Sequence, residues 1–279
     1  MLSARAMTVG LCLFFVGCAA APSDEGEEVM EVEAREESVD PIIVMNGDDP
    51  TFFWLSSTQQ ALRILAQAPL VAASGEMVST PLLASANGQR LLGYLARCTL
   101  PAGESLYSTA SAVSFDGAAG LAPQWASAPL ASPESQRWVT SCLLQTLNGL
   151  RVKVPIRLAG RHEAINTPPT AAAASGYTIP DATMFGNVFL PGGPAAFACA
   201  DSTLLNDCGV SWSADALARL CGVSVACGLT VLGPCRLSCD TDEFGNATCT
   251  DPTGTLYPEA ISTSLEQTGF LSLYPGCSP

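Results

Sequence analysis

The most legible hydrophobic pattern in the chain lies at residues 133–148. Ser132 is placed to cap a helix, Pro133 suits its first position, and Glu134 complements the positive end of its dipole. Trp138, Val139, Cys142, Leu143, Thr146 and Leu147 recur at three and four residues, so the spacing predicts a helix with one buried face. Gly149 fits the left-handed residue just past its end. The period then changes to two: Val152, Val154, Ile156 and Leu158 alternate with Arg151, Lys153, Pro155 and Arg157. That predicts a half-buried strand, and Pro155, which cannot donate to a ladder, predicts an edge position. The basic outer face reads as a solvated, self-protecting edge, with anion binding as the second reading.

Weaker patterns fill the rest. Order is expected to begin near Thr51-Phe52-Phe53-Trp54. Ser57 and Gln60 have capping-box spacing, and Leu62, Leu65 and Ala66 continue a helical stripe that ends before Pro69. A second helix is predicted over 89–98, with Leu91, Leu92, Leu95 and Cys98 near one face. Residues 106–115 have β character, and Asp116-Gly117 is a turn signal. Residues 166–176 read as a connection, 184–190 as an apolar strand, and Ser213 as the cap of a short helix through Leu220.

Eight cysteines then fall between 199 and 277. The expected fold is α+β and disulfide-stapled. A helical and β lobe at about 51–165 is followed by a loop-rich, Cys-dense lobe at about 177–279.

Charge changes the picture at the N-terminal end. The net charge is −14, yet residues 24–49 hold 11 acids and one Arg, whereas 51–279 hold 15 acids and 10 Lys or Arg. The acidity belongs to a tail, and 18–50 reads as a disordered spacer, since like charge and low hydrophobicity extend a chain. No basic patch is available for nucleic acid. Ahead of the spacer, Arg5 precedes an apolar run at 9–16 that is too short to span a bilayer, the order of a secretory signal. Phe15-Val16-Gly17-Cys18 closes that run and resembles a bacterial lipobox, with Phe15 where an aliphatic residue is commoner. The resemblance implies a signal peptide at 1–17, lipidation of Cys18 and attachment to the membrane. With Ala19 after the cysteine, it also implies sorting to the outer membrane. An ordinary signal peptide cut after Ala19-Ala20-Ala21 is the alternative.

Without Cys12 and Cys18, ten cysteines remain, an even number in an exported chain. Cys98 and Cys142 are the two outside the C-terminal cluster, each on a predicted buried helix face, and are expected to pair. Cys239 and Cys249 are expected to close a hairpin. Cys199, Cys208, Cys221, Cys227, Cys235 and Cys277 are left unassigned. Irregular gaps and the lack of a CxxC pair fit zinc poorly, so neither metal nor cofactor is expected.

Tyr94-Leu95-Ala96-Arg97-Cys98, Gly120-Leu121-Ala122-Pro123-Gln124-Trp125, Trp138-Val139-Thr140-Ser141-Cys142-Leu143-Leu144, Phe185-Gly186-Asn187 and the Cys-rich end together resemble a group of uncharacterised exported proteins and lipoproteins of large-genome Gram-negative bacteria. The resemblance spans about 80–279 and implies no reaction.

Three features bear on chemistry. His162 is the only histidine, with no G-x-S-x-G elbow and with Asn166 where HExxH would need its second ligand, so it reads as an exposed turn residue. Asp240-Thr241-Asp242-Glu243-Phe244-Gly245, with Asp251 at the twelfth place, partly matches a calcium loop, but Phe244 takes a liganding position. A disulfide-closed hairpin is preferred there. Asn246-Ala247-Thr248 is formally a glycosylation sequon. The expectation is a membrane-anchored envelope lipoprotein, binding or structural and not catalytic, that meets an envelope or extracellular protein or glycan. The alternative is a tethered hydrolase using dispersed carboxylates.

Overall fold

The computed structural model describes residues 41–150, 152–168, 171, 175–200, 212–222 and 227–277, within one compact unit at 38–279. Cys18, Cys208 and the signal segment lie outside the described residues.

Order begins earlier than 51. Ile43–Met45 forms strand β1, and Asp49 caps helix α1 (Pro50–Phe53) by accepting a bond from the Thr51 amide. Helix α2 (Ser56–Leu65) starts at Ser56 without a side-chain cap. The capping-box bond expected of Gln60 is not made; Gln59 Nε2 instead donates to Phe53 O at 2.7 Å. Helix α3 (Ala86–Thr99) starts three residues before its predicted place, because Ser85 Oγ accepts from Gly88 N. The 106–115 segment is a hairpin, β2 (Ser105–Ser108) and β3 (Val113–Asp116), so its turn precedes Asp116-Gly117.

Helix α4 (Pro133–Thr146) has the predicted cap at Ser132 and buries the predicted stripe. Gly149, however, has no left-handed backbone. It is there because the chain runs against helix α5 (Trp212–Cys221): its N–H donates to Arg219 O at 2.7 Å, and a Cβ would sit 2.5 Å from Ala218 O. Ser213 lies inside that helix and not at its start.

Six strands make the main sheet: β1, β4 (Pro155–Ala159), β11 (Ile261–Leu265), β5 (Ile179–Asn187), β6 (Ala195–Cys199) and β7 (Leu229–Val231), in that order across it. All neighbours are antiparallel except β6 and β7. β4 is not an edge, because Pro155 sits at its first residue, opposite Met45, and β1 and β11 flank the strand. Nor do 51–165 and 177–279 form separate lobes, since β11 from the far end of the chain inserts between β4 and β5.

Helix α4 covers one face of the sheet and α3, joined to it by Cys98–Cys142, packs against α4 and β3, with Leu91, Leu95, Leu143, Ile156, Leu158 and Met184 in one core. The other face carries a second sheet: β8 (Cys239–Thr241), β9 (Ala247–Thr250) and β10 (Leu256–Tyr257). Phe185 and Phe197, paired across β5 and β6, stack there at 5.2 Å beside Tyr257 in a smaller core. Helix α6 (Gln267–Leu273) closes the chain and buries Phe270 and Leu273.

Candidate functional site

A cavity of about 880 Å³ lies between the uncovered part of the main sheet and the β8–β9 hairpin. Its floor follows from strand alternation. Ile156 and Leu158 of β4 are fully buried on the helix side, so Arg157 and Ala159 face the other way. Register places Ser264 of β11 opposite Arg157, and Ser262 between Ala159 and Thr183 of β5. The Thr183 and Ser262 hydroxyls bond each other at 2.8 Å. The floor is therefore polar, while Phe244, Pro180 and the alanines supply apolar wall.

The hairpin wall is fixed covalently. The structure brings Cys239 and Cys249 together across β8 and β9. Cys199–Cys235 ties β6 to the turn just ahead of β8, with Cys199 and Cys239 sulfurs 3.6 Å apart. The Cys199, Cys235 and Cys239 sulfurs have the closeness of a metal-ligand set, but as disulfides they offer no thiolate. Cys221 pairs with Cys227, and Cys277 is disulfide-bonded as well.

In the calcium-like loop Asp242 and Asp251 are committed to their own turns. Asp242 Oδ1 accepts from the Phe244 and Asn246 amides at 3.0 and 2.8 Å, and Oδ2 meets Arg161 Nε at 3.6 Å. Slight desolvation pushes this carboxyl up, but those hydrogen bonds and Arg161 outweigh it and hold it below the usual carboxylate range. Asp251 Oδ1 accepts from Thr253 and Thr255 in a separate turn. Asn246 of the sequon is buried, its amide donating to Asn166 Oδ1.

Arg157 departs most from expectation. It is not solvated: the residue is 8% exposed, and Nε and Nη1 are buried with no hydrogen-bond partner. No ion pair reaches it among the described residues, and burial pulls its pKa down.

His162 is not an exposed turn residue. It is half-buried with its ring edge-on to Trp138 at 5.3 Å, and Nδ1 accepts from Ala164 N. Burial lowers its pKa, and among the described residues no hydroxyl or thiol hydrogen-bonds to it.

Sequence reasoning missed a buried polar cluster behind the sheet. Arg219 of α5 is fully buried and bonded by both terminal nitrogens to the Asp181 carboxylate, with Nη2 to Oδ2 at 2.8 Å. Desolvation works against the guanidinium charge, and Asp181 more than restores it. Thr263 Oγ1 stands 3.0 Å from Asp181 Oδ2 and 3.1 Å from Gln145 Oε1. Gln145 Nε2 donates to Ile261 O and Ala182 O, beside the register shift between β11 and β5. Tyr274 donates to Asp215 Oδ2 at 2.7 Å; burial pushes up both groups. Partners 38 and 82 residues apart leave no local signal in a sequence.

A second cavity, about 480 Å³, is lined by Arg90, Lys153, Asp49 and Asn148.

No protein-family model, no curated protein and no solved structure matches the chain.

Proposed function

We propose that the chain is an outer-membrane lipoprotein that acts by binding. Lipid on Cys18 would anchor it, and the acidic spacer would hold the domain off the surface. Two acyl chains meet the two-signal threshold for stable anchoring, and further chains exceed it. The observation that carries the reading is the 880 Å³ cavity, whose hairpin wall is clamped by Cys199–Cys235 and Cys239–Cys249. That volume is within the range of small-ligand sites, and a rigid wall spares a ligand the entropy of ordering it.

A carboxylate-based hydrolase needs two facing carboxyls in such a cavity. Of the acids lining this one, Asp181 is held by Arg219 and Asp242 by its own turn, while Asp240 and Glu243 are exposed and both belong to one wall, the hairpin. Geometry therefore favours binding over chemistry.

The test compares the full exported chain, in its oxidised form, with a cavity-filling Ser262→Trp variant. Ligand-observed NMR against envelope glycan fragments and small metabolites should find binding that the variant loses. Ester, peptide and glycoside substrates should not turn over. Turnover by the native chain that Ser262→Trp abolishes would replace this reading with the hydrolase.

A further inference from the structure

We propose that Arg157 is the recognition point of this cavity and that the ligand is a small organic acid, bound through its carboxylate; the inference rests on the cavity being a binding site. An arginine cannot escape burial by deprotonating, so its charge must be met by an opposite charge or by hydrogen-bond acceptors. Here neither is supplied. Arg157 is 8% exposed, its Nε and Nη1 are shut away from solvent without a partner, and no carboxylate reaches it among the described residues. The fold does not place it there incidentally. β4 lies inside the sheet between β1 and β11, and its alternation sends Ile156 and Leu158 into the helix-side core and Arg157 into the cavity.

The surroundings select the class of anion. Ser264 lies opposite Arg157 in register, and its hydroxyl has no hydrogen-bond partner among the described residues, leaving it available to the same ligand. A planar guanidinium fork suits either a carboxylate or a phosphate. Besides Arg157 and Arg236, the charged residues lining the cavity are the acids Asp181, Asp240, Asp242 and Glu243, and this excess of negative charge repels a doubly charged phosphate more than a singly charged carboxylate. The rest of the ligand is accordingly neutral or cationic. Phe244, 45% exposed on the hairpin, and Pro180 offer it apolar contact.

The experiment uses matched probes that differ only in head group: carboxylate, carboxamide and phosphonate, each on an aliphatic and an aromatic body. Binding to the full oxidised exported chain is followed by calorimetry and ligand-observed NMR. The carboxylates should bind at least tenfold more tightly than their amides and phosphonates. Arg157→Gln should remove that preference, while Arg157→Lys should keep part of it. Head-group discrimination by the native chain needs no variant, so a misfolded Arg157→Gln does not shield the idea. Amides or phosphonates binding as well as carboxylates would overturn it. So would an Arg157→Gln chain that keeps its fold and its preference. If uncharged ligands alone bind, and Ser262→Trp abolishes that binding, the acid assignment fails and the binding site stands. If nothing binds the native chain, both fall.

Discussion

Asp48 should make the protein less stable as pH rises toward neutrality, and the structure sets the size of the effect. The residue is 1% exposed, between the end of β1 and the end of α4. Backbone bonds hold it there: Gly47 and Asp48 amides donate to Thr146 O, and Asn148 N donates to Asp48 O. Its Oδ1 accepts from Asp49 N, but Oδ2 is buried without a partner. Burial raises the carboxyl from an ordinary 3.8 to about 7, against the pull of that amide and of Arg90 and Lys153. A rise of about three units corresponds to about 4 kcal/mol.

Below pH 4 both folded and unfolded chains hold the proton, and the group is neutral in effect. Between about pH 4 and pH 7 the unfolded chain ionises while the native chain does not, so stability falls by up to about 4 kcal/mol and then levels off. Asp48→Asn keeps an acceptor for the Asp49 amide and cannot ionise. It leaves a buried amide donor, a cost of about 1–3 kcal/mol that is independent of pH. Relative to the native chain, the variant should therefore gain about 4 kcal/mol between pH 4 and pH 8, whatever its absolute stability. Urea unfolding at several pH values, with the disulfides intact, measures this. Parallel pH profiles for the two proteins, differing by less than about 1 kcal/mol across the range, would refute the reasoning.

Cys18→Ala should move the protein from the membrane fraction to the soluble fraction, read by fractionation and immunoblotting; unchanged membrane association removes the anchor. Replacing Cys98 and Cys142 by Ala should lower unfolding free energy by about 4 kcal/mol, the chain-entropy value for their separation of 44, and a loss below about 1 kcal/mol in denaturant unfolding contradicts it. The 240–251 loop should bind calcium no more tightly than about millimolar, because Asp242 and Asp251 are spent on separate turns; calorimetric titration decides. His162→Ala should cost about 1 kcal/mol through the lost Trp138 contact and leave ligand binding intact, and a binding defect in the folded variant would bring this residue into the site.

What could be read from sequence was local. The cap at Ser132 and the stripe from Trp138 to Leu147 lie within one helix, and α4 forms as they indicate. The α+β, disulfide-stapled character is likewise present in the structure. The sheet was not legible, because its neighbours come from distant parts of the chain. Ile42-Ile43-Val44-Met45 was the one available sign that β1 exists, an apolar tetrad inside the acidic stretch, and average composition hid it.

The same limit explains Arg157, and shows why its environment matters more than its pattern. Alternation from Val152 to Leu158 assigns Lys153 and Arg157 to one face, and within β4 it holds for Arg157, which lies opposite the buried Ile156 and Leu158. It says nothing about what covers that face. Lys153 stays exposed ahead of β4, whereas Arg157 is sealed by a strand more than 100 residues later and by a hairpin that two disulfides hold in place. A solvated basic edge needs only water as its counterpart. A buried guanidinium with two unbonded nitrogens needs an anion, and none of the described carboxylates reaches it. The step from a self-protecting edge to an acid-binding cavity therefore turns on one long-range fact, the insertion of β11 beside β4.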